Sequence, residues 1–222
     1  MVDPNQPAKY RLRLVFAKKA QIKYLGHLDL SLAWERALRR AQLPLAYSKG
    51  FNPRPRMQFA SELPLGTMSR AEILDIVLYD EVEPQDIYER LKRSLPVGIE
   101  LHSVESVPVK SPTLQQLLRQ ADYRVLVETE LPPAELSARI SALLSAEKVV
   151  QTRQRRKKAE EVDLRPLLHA LKLEGSGENE VQLQMRLSAG QSGNLRPEAV
   201  LKALGLEGCW AEVERTALIF EE

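Results

Sequence analysis

The sequence lacks the residues that several common functional sites need. Cys209 is the only cysteine among the 222 residues, so the chain by itself cannot form a disulfide, a Cys-x-x-Cys redox pair or a cysteine-ligated zinc or iron–sulfur centre. It contains no G-x-x-x-x-G-K-[ST] phosphate loop, no H-E-x-x-H zinc motif and no G-x-S-x-G nucleophile elbow. Its histidines, at 27, 102 and 169, have no metal-ligand spacing. We therefore expect no metal and no cofactor in this chain.

Long apolar runs and targeting signals are also missing. No stretch approaches the ~18 consecutive apolar residues of a membrane span, and the first residues, MVDPN, have neither the basic charge nor the apolar segment of a signal peptide. Hydrophobic residues make up 44% and charged residues 28% of the chain, which is typical of a globular protein. We therefore expect a soluble cytoplasmic protein with no membrane partner, long enough for one large domain or two small ones.

Charge is distributed unevenly along the chain, although the net charge is only +2. Residues 1–60 contain twelve Lys and Arg against three Asp and Glu, a balance of +9, whereas the remaining 162 residues contain twenty against twenty-seven, a balance of −7. Such a split indicates a localised anion-binding surface in the first third of the chain. Nucleic-acid phosphate is the commonest polyanion that such a surface binds.

Apolar periodicity in the first half predicts the element order β-α-β-β-α-β. Residues 10–16 alternate apolar and basic side chains, as in a half-buried strand. Apolar residues then recur with helical spacing over 30–41, so we expect a helix that ends near Gln42. The remaining predicted elements are strands near 57–60, at 72–79 and at 97–104, and a helix that begins at Pro84.

The same order recurs in the second half, after a linker and a short helix for which Ser111 is the predicted N-cap. The predicted elements are strands at 123–130, from 148, at 181–187 and ending near 220, helices after 132–133 and after 197, and an insertion around 157–175. We therefore predict the α+β class with two tandem ferredoxin-like units. Their bounds are a basic domain at 1–106, the linker and short helix at 107–121, and a second domain at 122–222.

The stretch YLGHLD at 24–29 and the helix after it contain the first candidate site residues. The helix has a polar stripe that begins at Asp29. Arg36 and Arg40 follow Asp29 by seven and eleven residues, which places all three on this stripe. Two guanidiniums on one stripe could bind phosphates, with Tyr24 beside the helix start, and we expect arginine-to-alanine changes there to leave stability nearly unchanged. An ordinary solvated face, with Glu35 paired to Arg39, fits the spacing equally well.

His27 is the one candidate for a catalytic side chain. It lies at the predicted helix start, where backbone N–H groups favour an anion, so a neutral imidazole could donate to a phosphate or act as an acid or base. The alternative is a histidine that caps the helix or hydrogen-bonds behind the site. His102 and His169 are interpreted as structural.

The segment YSKGFNPRPR at 47–56 contains the second set of candidates. A glycine next to two prolines favours an extended loop that presents its side chains at low entropic cost. Such a loop can stack bases on aromatic rings and contact phosphates, although a solvated edge loop is the alternative. The candidate binding residues are Tyr47, Ser48, Lys49, Phe51, Asn52, Arg54 and Arg56.

These segments carry a resemblance to a known family. The runs YLGHLDL, ERALRRAQLPLAYSKGFNPRPRMQFAS and ELPLG from Tyr24 onward closely resemble the radical-SAM-linked, or radical-SAM-associated, proteins. Residues 121–123 (ADY) and 162–166 (VDLRP) match the same pattern, so the resemblance covers nearly the whole chain. In that family the domain is fused to a radical SAM protein or encoded beside one, often near ribonuclease G and ribosomal-protein genes. The resemblance implies a radical SAM partner that would itself hold the iron–sulfur cluster and S-adenosylmethionine.

Three hypotheses follow. The first is a non-catalytic accessory protein that binds structured RNA, tRNA or rRNA rather than DNA, for a separate radical SAM enzyme. The second is a metal-independent endoribonuclease that uses His27. Its basis is that tandem ferredoxin-like units are similar to the CRISPR repeat-processing endoribonucleases. Residues 188–193, however, do not match the glycine-rich loop of those enzymes. The third is a scaffold that contacts only proteins.

Two further features concern the second half. A basic run at 153–158 predicts an exposed hairpin tip, with RNA contact as the alternative. Asp163 and Arg165 flank Leu164 and are predicted to form a local ion pair before Pro166.

Overall fold

The computed structural model describes residues 10–155 and 158–221, with the side chains of 153–158 left out. The chain is of mixed α and β structure with mostly antiparallel strands. It divides into two compact units, unit 1 up to Leu118 and unit 2 from Arg119 to Glu221. In the described ranges, no helix has both the length and the apolar character needed to cross a membrane.

Unit 1 contains four strands and two long helices in the predicted order β-α-β-β-α-β. The elements are β1 (Tyr10–Lys18), α1 (His27–Arg40), β2 (Met57–Phe59), β3 (Met68–Leu78), α2 (Pro84–Ser94), β4 (Ile99–Val107) and the short α3 (Leu114–Leu117). The strands lie in the order β4, β1, β3, β2, and each neighbouring pair is antiparallel.

The core of unit 1 forms where the apolar face of the sheet meets α1 and α2. Leu12, Leu14 and Phe16 alternate along β1 and are buried, because successive side chains of a strand point to opposite faces. From α1, Leu30, Trp34 and Leu38 complete the core, four residues apart as the helical period requires. The Phe16 and Trp34 rings meet edge to face with centroids 4.8 Å apart. Each such buried side chain contributes roughly 1.5–3 kcal/mol to folding.

The end of α1 agrees with the sequence expectation, whereas the start of α3 does not. Helix α1 ends at Arg40, near the predicted Gln42, whose left-handed φ of 53° takes the chain out of the helix. The N-cap of α3 is Thr113 rather than the expected Ser111. Thr113 forms a reciprocal capping box with Gln116, whereas the carbonyl of Ser111 accepts a hydrogen bond from Arg11.

In unit 2, four of the described strands are paired in the order β10, β5, β9, β8. Its elements are β5 (Leu118–Glu128), α4 (Pro133–Ser145), β6 (Val150–Arg155), β7 (Lys158–Asp163), β8 (Leu168–Ser176), β9 (Glu180–Ser188), α5 (Pro197–Ala203) and β10 (Ala211–Phe220). The strand predicted from residue 148 does not pair with β9; it is β6, which forms a separate two-stranded hairpin with β7. Strand β8 pairs with β9 instead and buries Leu168 and Leu171, whereas β6 and β7 are too polar to supply an apolar face.

Candidate functional site

The segment before α1 is held by a buried lysine that the sequence analysis did not single out. Lys18 is only 1% exposed, and its Nζ donates hydrogen bonds to the carbonyl oxygens of Lys23 at 2.9 Å and Leu25 at 2.8 Å. The N–H of Gly66 donates to the same Lys23 oxygen at 2.9 Å. These bonds bring the YLGHLD and ELPLG segments together. The only sequence signal for this role of Lys18 was its position at the end of a strand.

Exposed apolar side chains occur in both of these segments. Tyr24, Leu28 and Leu65 all expose most of their side chains. Gly66 has a left-handed φ of 81°, which favours glycine, and a Cβ there would be in ordinary contact with Tyr24 Cε1 at 4.0 Å. Lys23 Nζ lies 5.4 Å from the centroid of the Tyr24 ring. The candidate residue Tyr24 is therefore accessible, with a cation beside its ring.

His27 is the first residue of α1, following Gly26 as N-cap. Its side chain makes no hydrogen bond among the described residues, which does not support the alternative of a histidine that caps the helix. Its ring packs against Phe59 with centroids 5.1 Å apart, and its Nδ1 is buried without a hydrogen-bond partner within the described ranges. A general acid or base is normally oriented by a hydrogen bond to its second nitrogen. The contacts of His27 are those of a packed side chain.

The polar stripe of α1 divides into residues with different roles. Asp29, Arg36 and Arg40 are all exposed. Arg40 Nη2 donates to the carbonyl of Ser94, the last residue of α2, at 2.6 Å, so this arginine links two helices. Asp29 lies in the first turn, where its charge stabilises the helix dipole and repels phosphate. Arg36 makes no hydrogen bond or ion pair within the described ranges, which leaves it as the available cation of the stripe.

Arg39 and Tyr47 connect α1 to the loop at 47–56. Arg39 Nη2 lies 2.7 Å from Glu35 Oε1, which is the pairing considered in the sequence analysis. Its guanidinium also lies 5.9 Å from the Tyr47 ring centroid, and the backbone N–H of Tyr47 donates to Tyr79 Oη at 3.4 Å. Tyr47 is therefore half-buried and already in contact with neighbours, which makes it a poorer stacking surface than the sequence predicted.

The arms of the loop are joined by hydrogen bonds that set its shape. Ser48 N–H donates to the Arg54 carbonyl at 2.8 Å, and Arg54 N–H donates to Ser48 Oγ at 3.0 Å. Below this pair, Arg56 N–H donates to the Ala46 carbonyl at 2.7 Å. The Ser48 side chain thus closes the loop, which gives it a structural role beside the binding role that was predicted.

The tip of the loop extends away from the rest of unit 1. Gly50 has a left-handed φ of 133°, and a Cβ added there would meet no atom within 4 Å. Phe51 is completely exposed. Lys49, Asn52, Arg54 and Arg56 are exposed as well. One loop thus exposes an aromatic ring and three cations, side chains that can stack on a planar group and bind anions.

Neutralised cations account for much of the basic excess in the first third of the chain. Arg11 and Arg13 both pair with the buried Asp75, at 2.6 and 2.9 Å, and Lys19 pairs with Glu100 at 2.9 Å. Lys18, Arg39 and Arg40 have the partners given above. In residues 10–60, the exposed cations whose side chains make no hydrogen bond, ion pair or ring contact within the described structure are Arg36, Lys49, Arg54 and Arg56.

One cleft of unit 2 has the opposite electrostatic character. An open cleft of about 1090 Å³ is lined by Glu128, Glu130, Glu178 and Glu180. The one arginine in its wall, Arg139, pairs with Glu135 and donates to the Leu204 carbonyl. Such a cleft disfavours phosphate. Among the described residues, no group of three or more potential metal ligands is arranged to hold an ion.

Asp163, Arg165 and His169 of unit 2 make hydrogen bonds that test further sequence predictions. The ion pair between Asp163 and Arg165 is not formed, because the guanidinium donates to the carbonyl oxygens of Leu144 and Leu168. Asp163 Oδ1 instead accepts the backbone N–H groups of Val149 and Arg165. His169 is hydrogen-bonded to Ser188 Oγ at 2.8 Å, as expected of a structural histidine. The basic run at 153–158 lies outside the described side chains.

Comparison with protein families gives one match across most of the chain. Residues 11–197 match the family described as "uncharacterized protein conserved in bacteria" (DUF2344). The chain belongs to this family. No curated protein matches it.

Similar folds occur among solved structures. The chain is similar over its full length to 56% of a chain in a crystal structure of a Cbf5-Nop10-Gar1 complex, with a TM-score of 0.53 and 11% identity. In an archaeal box H/ACA sRNP Nop10-Cbf5 complex, 96% of this chain aligns with 50% of that one, with a TM-score of 0.49 and 10% identity. The chain therefore spans little more than half the length of these neighbours. At such identity the likeness concerns the fold alone.

Proposed function

We propose that unit 1 binds structured RNA, tRNA or rRNA, and that the protein is a non-catalytic accessory to a separate radical SAM enzyme in RNA modification or processing. The observation that carries the proposal is the set of four exposed, unpaired cations, Arg36 on α1 and three in the 47–56 loop, a loop that also exposes an aromatic ring. Cations engaged with protein carboxylates cannot release counterions from RNA, whereas these four can.

The chemistry of the loop favours nucleic acid over small anions. A single phosphate needs one or two donors in a concave site, but Lys49, Phe51 and Arg54 stand on an open tip. Open, convex cation sets with an aromatic ring suit an extended polyanion that has planar groups, as RNA does.

The radical SAM partner rests on the resemblance of the segments from Tyr24 onward to radical-SAM-linked proteins. One cysteine in 222 residues cannot ligate an iron–sulfur cluster, which needs several thiolates. The cluster and S-adenosylmethionine would accordingly belong to the partner. The exposed apolar side chains of Tyr24, Leu28 and Leu65 are available for a protein contact.

We further propose that both units are variants of the ferredoxin-like fold. Unit 1 supports this with the order β-α-β-β-α-β and the strand order β4, β1, β3, β2. Unit 2 supports it if the β6–β7 hairpin is treated as an insertion, since β10, β5, β9 and β8 then follow the same order.

Salt dependence of RNA binding tests the proposed function. If Arg36, Lys49, Arg54 and Arg56 each neutralise one phosphate, log K should fall with log salt with a slope of roughly −2.8, at about −0.7 per contact on unpaired RNA. Binding of bulk tRNA is measured between low and moderate salt. Arg36→Ala or Arg54→Ala should each reduce the slope by about 0.7.

Arg93 provides a matched control, because it is an exposed arginine on α2 without a partner in the described structure. Arg93→Ala should leave the slope unchanged. A flat salt response of the wild type, or an equal change in slope for Arg93→Ala, would contradict the proposal.

A further inference from the structure

The loop at 47–56 is anchored at its base by hydrogen bonds to β3. Its base is fixed to β3 on both arms, since Ala46 N–H donates to the Val77 carbonyl at 2.8 Å and Val77 N–H donates to the Arg56 carbonyl at 3.0 Å. Pro55, in the second arm, is buried and forms an isolated antiparallel β-bridge with Tyr47. The tip is thereby presented with part of its conformational entropy already lost.

The two aromatic residues of this loop are in different situations. Tyr47 lies at the base, contacted by Arg39 and Tyr79. Phe51 lies at the tip, fully exposed, and a phenyl ring there gains nothing for folding because it buries no apolar surface. Lys49 and Arg54, which are also exposed, lie two positions before and three positions after Phe51 in the same loop.

We propose that Phe51 stacks on an unpaired base, so that the ligand of unit 1 is RNA with a bulge or an open loop rather than a continuous duplex. This inference rests on the proposed function. In a continuous A-form duplex both faces of each base are covered by neighbours, and the deep major groove is too narrow for side chains. An unpaired base offers a free face, while Lys49 and Arg54 contact the phosphates beside it.

The test compares two RNAs of equal length and charge, a hairpin with a bulged purine and a blunt, fully paired duplex. The wild type should bind the bulged RNA more tightly by roughly 5- to 150-fold, which corresponds to one stacked base. Phe51→Ala should lose this preference, with duplex affinity and salt slope unchanged. Phe51→Trp should restore it, because indole supplies an equivalent stacking surface.

Two controls separate stacking from other effects. Val97→Ala removes another exposed apolar side chain of unit 1 and should leave the preference intact. Urea unfolding should give the same free energy for Phe51→Ala as for the wild type, because the ring is exposed.

The outcomes distinguish this inference from the function on which it rests. If Phe51→Ala binds the bulged RNA like the wild type, or weakens both RNAs equally, the stacking role is wrong even when the salt slope confirms phosphate contacts. If the wild type binds neither RNA, both proposals fail. A preference that Phe51→Ala abolishes and Phe51→Trp restores supports the inference.

Discussion

At the scale of single residues, arginines that look equivalent in the sequence differ in what they contact. Arg36 and Arg40 share one stripe of α1, but only Arg40 is hydrogen-bonded to another helix, through the Ser94 carbonyl. Arg40→Ala should lower the free energy of unfolding by about 1 kcal/mol, whereas Arg36→Ala should change it by less than about 0.5 kcal/mol. Urea denaturation of both variants measures the difference. Equal effects would mean that the contact to Ser94 contributes nothing.

Asp75 shows how much one buried carboxylate can control. It is 3% exposed and accepts four hydrogen bonds, two from Arg11 and two from Arg13. Asp75→Ala should destabilise the protein by about 3–5 kcal/mol, because the buried Arg11 is left without its carboxylate partner. Chemical denaturation with the exposed pair of Asp86 and Arg90 as control gives the comparison.

The control pair lies on one helix, four residues apart and exposed to solvent. Asp86→Ala should therefore cost only about 0.5 kcal/mol or less. A similarly small cost for Asp75→Ala would show that Arg11 is stabilised by its bonds to the carbonyls of Ser111 and Pro112 alone.

At the scale of an element, the end of β7 depends on the charge of Asp163. The backbone N–H of Val149, and to a smaller extent that of Arg165, holds the pKa of the Asp163 carboxyl below its usual value. A lowered folded-state pKa adds stability that is fully present above the unfolded pKa of about 4 and is lost as pH falls through the folded pKa. Asp163→Asn should thus be less stable than the wild type at neutral pH, and the difference should shrink under acid conditions.

Unfolding free energies of both proteins from pH 7 down to pH 3 measure this effect. Glu147→Gln serves as control, because Glu147 is exposed, lies two positions before Val149 and has no hydrogen bond in the described structure. At pH 7 its stability should lie within about 0.5 kcal/mol of the wild type. A pH-independent difference for Asp163→Asn would mean that the charge on Asp163 contributes nothing to the turn.

At the scale of the whole molecule, the candidate residues concentrate in one unit. The candidate residues all belong to unit 1, namely Tyr24, the α1 stripe and the 47–56 loop. In unit 2, the cleft described above is lined by glutamates and is acidic. The net charge of +2 therefore says little about binding, since a polyanion responds to the local potential of the surface that it meets. The proposed RNA interface depends on this separation of charge between the two units.

The sequence by itself determined the features that depend on local spacing. Strand alternation in β1 and the four-residue recurrence of Leu30, Trp34 and Leu38 reflect backbone geometry, which acts over one or two turns. The element order of unit 1 and the exposed face with Asp29 and Arg36 could therefore be predicted. The expectation that another protein would hold any iron–sulfur cluster likewise rests on the single cysteine, and it stays a prediction.

Only the tertiary structure decided which of the charged and polar residues remain available. Arg11 and Asp75 are 64 positions apart, and Arg40 and Ser94 are 54 apart, so no local pattern reveals these pairs. Tertiary pairing also decided that β8 rather than β6 joins β9, because strands are selected by the apolar surface that they bury against the rest of the fold. The unpaired cations and the exposed Phe51 are the residues that these long-range contacts do not use. A local sequence pattern cannot predict which residues these are, because it does not reveal the long-range contacts.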